Sequence, residues 1–180
     1  MRKFLFLPLL ALLASCGKNE DCDIVTPQPE DLVSPALYAT LSQSSTDPYN
    51  GPLEVLPCET NGSFYIGNYT AKGKQVPFPA YYLITNGIGK SQKYPLRLPV
   101  GTYNVIYWGY PDYFGTAGDA YLADPTLIIG KKLNTTSLGL RKIPGDTVYY
   151  PIHSLVYGTQ NINIGKDDLQ AHLKHASAAL

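Results

Sequence analysis

Apolar residues follow three different rhythms along this chain. From Phe4 to Ala14 they run on without a charge. From Ala36 to Gly165 they come in short bursts, and each burst is closed by glycine, proline or asparagine. After Asp167 they recur at Leu169, Leu173, Ala176 and Leu180. The middle rhythm predicts strands: ALYATLS (36–42), LEVLP (53–57), GSFYIGNYT (62–70), YYLIT (81–85), YPLRLP (94–99), GTYNVIYWG (101–109), PTLIIG (125–130), TSLGL (136–140), DTVYYPIHSLVYG (146–158) and QNINIG (160–165). β-Branched and aromatic residues between frequent turn residues read as an all-β fold, an antiparallel β-sandwich over residues 36–166. In GTYNVIYWG, Tyr103, Val105 and Tyr107 share one side and Asn104, Ile106 and Trp108 the other, so both faces of this strand are expected to be partly covered. Val105 and Tyr107 are expected in the core.

The segment DDLQAHLKHASAAL (167–180) is the one helical candidate, with Asp167 as its cap and the leucines on one stripe. Read instead as a strand, it would place Leu169, Ala171, Leu173 and His175 on one side. In either state its apolar face needs a partner. Without one, the chain would expose a patch around Leu169 and Leu173.

The N-terminal run changes the picture from a free domain to a tethered one. Arg2 and Lys3 precede a span of about eleven uncharged residues, too short to cross roughly 30 Å of hydrocarbon as a helix. It ends in LASC, which resembles the bacterial lipobox, and that resemblance implies cleavage after residue 15 and acylation of Cys16. Gly17 follows, then Lys18, Asn19, Glu20 and Asp21. This run resembles the signal that sends Bacteroidetes lipoproteins to the outer face of the outer membrane. Residues 1–15 are then a signal peptide. Residues 16–35, polar and holding three prolines, are a lipidated N-terminus and an extended linker.

Charge and cysteines narrow the partners. Removing the signal leaves 12 basic against 14 acidic side chains. A net charge of about −2 offers no footprint for nucleic acid. Beyond the cytoplasm a Cys22–Cys58 disulfide is chemically allowed, and two separate thiols are the alternative.

Catalytic patterns are thin, and the chain reads as a non-enzyme without a cofactor. His153 and Ser154 are strand neighbours, so their side chains point to opposite faces. His172 and His175 would share a helix face with Asp168 but lack a further ligand for a metal. Tyrosine is abundant, 15 residues. The end of GTYNVIYWG and the loop YPDYFG (110–115) after it gather Trp108, Tyr110, Tyr113 and Phe114, a candidate aromatic surface for a carbohydrate; the alternative is the core and rim of the β fold, where such rings are common.

LRLPVGTYNVIYWGY (96–110) and YYPIHSLVYG (149–158) resemble stretches of the fimbrial anchor lipoprotein family of Bacteroidetes, in which a proline–glycine turn leads into an aromatic strand. Tyr110 stands where that family usually has asparagine. Residues 167–180 resemble the lead-in to a further strand, with Lys174 and His175 where the family has arginine. The resemblance implies transthyretin-like β-sandwich domains, a lipid anchor in the outer membrane and a fimbrillin-type protein subunit as partner. It also implies that residues 167–180 are a tail or the start of a second domain. A glycan-binding surface lipoprotein of a polysaccharide-uptake system is the competing reading.

Overall fold

The computed structural model describes residues 27–41, 47–60, 64–92, 94–111, 122–123, 126–133, 139–140, 142–149 and 154–176. In chain order the strands are β1 (Leu32–Val33), β2 (Leu37–Leu41), β3 (Gly51–Glu59), β4 (Asn68–Tyr69), β5 (Gln75–Val76), β6 (Ala80–Thr85), β7 (Ile88–Ser91), β8 (Leu98–Pro99), β9 (Gly101–Gly109), β10 (Leu122–Ala123), β11 (Gly139–Leu140), β12 (Val156–Ile164) and β13 (Leu169–His175). One 3-10 turn, Pro29–Asp31, precedes them.

Seven of these strands close into a barrel in the order β12-β13-β2-β7-β6-β3-β9, and β9 returns to β12. The short pairs β1–β8, β4–β5 and β10–β11 lie outside that ring. The expected transthyretin-like antiparallel sandwich is corrected here. The protein is all-β, but one sheet curls on itself, and β13 lies parallel to β2. The physical cause is that the first and last strands of the barrel meet. Leu169 to Leu173 run beside Leu37 to Leu41 in register, so the ring closes through the chain's two distant ends.

β13 also corrects the helical expectation for the tail. Leu169, Ala171 and Leu173 are buried while Gln170, His172 and Lys174 are exposed, the alternation of a strand with one dry face. Its entry is held by Leu169 N–H donating to Ala36 O (2.8 Å) and Ala36 N–H donating to the Asp168 carboxylate (3.2 Å). Asp167 caps no helix; its carboxylate accepts the Asn163 N–H at 3.3 Å. The expected boundary at residue 166 therefore falls in the turn between two barrel strands. No apolar patch opens around Leu169 and Leu173, since both are fully buried.

The longest strands sit at the centre of the packing. Leu53, Val55, Val105, Tyr107, Ile162 and Ile164 point inward and join Leu37, Ile84 and Leu173 in the barrel core. β3 is buried along eight of its nine residues because its other face is covered too. There Leu56 and Trp108 meet Tyr65, with Ile106, Leu127, Leu133 and Leu155 packed around them. The expectation that both faces of GTYNVIYWG are covered is met by this second, outer cluster. Replacing the fully buried Val105 with alanine is expected to cost about 1–3 kcal/mol through lost apolar burial and an unfilled void. A denaturant titration that leaves the midpoint unchanged would remove Val105 from the core.

Local chemistry sets the tight connection. Asn86 (φ 49°) and Gly87 (φ 77°) both take left-handed backbone between β6 and β7. An Asn-Gly pair is the favoured way to build such a two-residue hairpin turn. Asn50 supports it from outside, its side-chain oxygen accepting the Asn86 N–H at 2.8 Å.

Candidate functional site

Among the described residues, those singled out in the sequence do not converge on one cleft. Cys16 and Cys22 lie outside the described residues, as do His153, Tyr113 and Phe114. Cys58 is fully buried on the outer face of β3, its Sγ 4.0 Å from Leu56 O. Burial pushes its thiol up to about 12, so it holds its proton at neutral pH and is a poor nucleophile.

The expected aromatic surface is corrected at two of its four positions. Trp108 and Tyr110 are buried, at 8% and 6% exposure. Trp108 sits on the outward side of β9, but segments from elsewhere in the chain cover it, with Leu127, Leu133 and Leu155 in its cluster. Neither ring is open for a sugar to stack on.

The histidines are separated as well. A strand turns residues three apart to opposite faces. Nδ1 of His172 is 3.0 Å from Thr40 Oγ1, while Nδ1 of His175 is 3.2 Å from Ser154 Oγ. Among the described residues, no group of three or more histidine, cysteine, aspartate or glutamate side chains could hold a metal ion. No helix among them is long and apolar enough to cross a membrane.

Buried tyrosines carry the remaining unusual chemistry. Burial raises the Tyr65 hydroxyl well above its ordinary range, with Cys58 and Glu54 close by adding to the effect. Tyr107, inside the barrel, is raised by burial and by Tyr82. Tyr82 itself is anchored, its hydroxyl accepting the Leu96 N–H at 2.9 Å. All three phenols stay protonated at physiological pH. They pack the structure and supply no base.

What the geometry does offer is a strand edge. β2 and β7 share a single registered pair, Tyr38 with Ile88, whereas β9 and β12 share nine. β7 continues past that pair through Gly89, Lys90 and Ser91, bonded to β6 on its other side. Gly89 packs against Leu37, where an added Cβ would lie 3.0 Å from the Leu37 backbone oxygen. Beyond it, among the described residues, Ser91, whose backbone turns away from β6, has no ladder partner on the β2 side, while Lys90 turns its backbone to Leu83 of β6. Unpaired backbone groups on such an edge can accept a strand from another chain. Two exposed apolar residues flank the place, Tyr38 at 40% and Ile88 at 62%. Sequence reasoning missed them; an isoleucine at an outward strand position directly after an Asn-Gly turn was the available signal.

The protein is thus an all-β domain whose distinctive features lie on its outer surface and strand edges. Residues 25–180 match the family model described as fimbrillin-A associated anchor proteins Mfa1 and Mfa2, and the chain belongs to that family. The resemblance read from LRLPVGTYNVIYWGY and YYPIHSLVYG is thereby confirmed over most of the chain. No curated protein and no solved structure matches it.

Proposed function

We propose that this chain is a fimbria-associated anchor subunit held on the outer face of the outer membrane. The observation that carries this reading is the family match over residues 25–180 of a 180-residue chain. In this reading Cys16 becomes the acylated N-terminus. Each buried methylene contributes about 0.8 kcal/mol, and more than one acyl chain makes the attachment stable. Residues 17–26, ahead of the Pro29–Asp31 turn and β1, lift the barrel off the lipid surface; at roughly 3.3–3.6 Å per extended residue these ten reach up to roughly 35 Å.

The work of such a subunit is mechanical. A fimbrillin-type subunit engages the barrel by its backbone at the β7 edge, with Tyr38 and Ile88 as the apolar flank. Strand addition supplies directional hydrogen bonds, and side-chain pockets beside the edge supply selectivity. The load on the fimbria then passes through the barrel and the linker to the acyl chains.

The test is crosslinking on intact cells followed by mass spectrometry of the captured chains. Fimbrial subunits are expected with the wild-type protein. Their yield is expected to fall several-fold with Ile88→Lys, since a charged residue at an exposed edge blocks strand pairing. Capture of no fimbrial subunit above background would end the anchor reading. Capture unaffected by Ile88→Lys would move the contact away from the β7 edge.

A further inference from the structure

β9 and β12 share the longest ladder among the described strands, nine pairs, and they turn one face to the barrel core and the other outward. Along the outward face four cross-strand pairs stand in register: Trp108 with Tyr157, Ile106 with Thr159, Asn104 with Asn161, and Thr102 with Asn163. The first two β9 residues belong to the covered outer cluster. The rest of the strip is exposed except Asn104 and Asn163, which are half-buried. Tyr157 is 50% exposed, and Thr102, Thr159 and Asn161 are exposed.

Two features of this strip are not explained by folding. Asparagine is depleted in strands, yet three asparagines share this one face. The strip also carries no charged side chain of its own; Lys174 flanks its tyrosine end, and the Asp167 carboxylate accepts the Asn163 N–H at the other. The amides are partly set in place: Thr159 Oγ1 donates to Asn104 Oδ1 at 2.8 Å, which leaves the Asn104 NH2 to donate outward. Among the described residues no hydrogen bond engages the side-chain amides of Asn161 and Asn163. Alternate residues of a strand lie roughly 7 Å apart, so these amides form a regular row.

The chemistry of that row selects its ligand. A primary amide both donates and accepts, as a sugar hydroxyl does. An uncharged strip gives no hold on phosphate or carboxylate. An exposed tyrosine ring provides one flat apolar face with a polar tip, suited to the apolar face of a sugar ring. We infer that the outward face of β9 and β12, through Tyr157, Thr159, Asn161, Asn163 and Asn104, binds a neutral polysaccharide of the cell's own surface. The source follows from position. At the Asn163 end of the strip, Gly165 packs against Val100, and the adjoining Pro99 pairs with Leu32 in β1. β1 is the first strand that follows the tether of residues 16–26. Resting on the anchor reading, this end of the barrel faces the membrane, and the strip lies within the cell's own glycan layer. It gives the subunit a lateral hold in addition to its acyl chains.

The experiment uses the whole chain carrying Cys16→Ser, which removes the acylation site. It is titrated calorimetrically with the producing cell's surface polysaccharide, freed of lipid by mild acid; yeast mannan and mucin glycans form separate arms. Binding to the cell's own polysaccharide is expected. Tyr157→Ala and the isosteric Asn161→Asp should each weaken it by roughly tenfold, about 1.4 kcal/mol, with the melting temperature unchanged. The inference is overturned by no binding, by binding to the foreign glycans alone, or by affinity that neither variant alters. A dimer in sedimentation that Asn161→Asp dissolves would also overturn it, assigning the face to a second copy. Because the titrated protein has no acyl chain, failure here is distinct from failure of membrane attachment.

Discussion

Gly109→Ala is expected to cost about 3–5 kcal/mol, a large part of the roughly 5–15 kcal/mol that holds a typical domain together. Gly109 ends β9 at the point where it faces both Leu53 of β3 and Val156 of β12. A methyl group there would lie 2.3 Å from the Pro52 backbone oxygen and 2.6 Å from the Tyr49 hydroxyl. Neither neighbour can step aside cheaply. Pro52 is inside a paired strand, and fully buried Tyr49 donates its hydroxyl to that same Pro52 oxygen at 2.6 Å. The methyl therefore overpacks the strand junction and breaks a buried hydrogen bond. Gly101→Ala at the other end of the same strand is the control. Its nearest neighbour is the side chain of half-buried Tyr103 at 3.3 Å, and a change below about 1 kcal/mol is expected. Equal melting of the two variants would show that the close approach at Gly109 is not a constraint.

The same kind of close approach explains one boundary that the sequence hid. VYG and QNINIG read as separate bursts because a glycine stands between them, yet Val156–Ile164 is one continuous strand. Gly158 does not end it. The His172 backbone oxygen passes 2.6 Å from where a Cβ would sit, so the glycine makes room for β13. GTYNVIYWG, by contrast, was legible residue for residue as Gly101–Gly109, since alternation and flanking turns agreed on it. β13 satisfied two periods at once: leucines at 169 and 173 suit a helix, while Leu169, Ala171 and Leu173 suit a strand. What decided between them was a ladder to β2, where His172 meets Thr40 across 132 positions of sequence. No local pattern carries that information. Burial at Trp108 was hidden for a related reason, because its cover comes from Tyr65, Leu127 and Leu155, each far from it in sequence. The outward asparagines were visible in NIN all along, but their meaning depends on the register that sets Asn161 against Asn104. The family, in contrast, was legible, because turn and strand motifs are local.

Cys16→Ser is expected to move the protein completely from the membrane fraction to the soluble fraction, and to shed fimbriae into the medium. The motif LASC after an uncharged run motivates the first part, and the family match over residues 25–180 the second. The size of the effect follows from how little else would hold the chain. A single myristoyl chain binds a bilayer with a constant of only about 10⁴ M⁻¹, so an outer-membrane anchor under load needs two or more chains, all of them lost together with one sulfur and one mature amino terminus. Among the described residues no helix is long and apolar enough to cross a membrane, and 12 basic against 14 acidic residues leave no excess of positive charge for acidic lipid. A glycan contact on β9 and β12 would slow the escape of the protein from the cell surface without retaining it in the lipid. Metabolic labelling with an alkyne fatty acid reads the modification directly, and fractionation with electron microscopy of cells and medium reads its consequence. Label and membrane retention unchanged in Cys16→Ser would rule out this cysteine as the anchor. A released, unlabelled protein with fimbriae still fixed to the cells would keep the lipid anchor and remove the fimbria from its load.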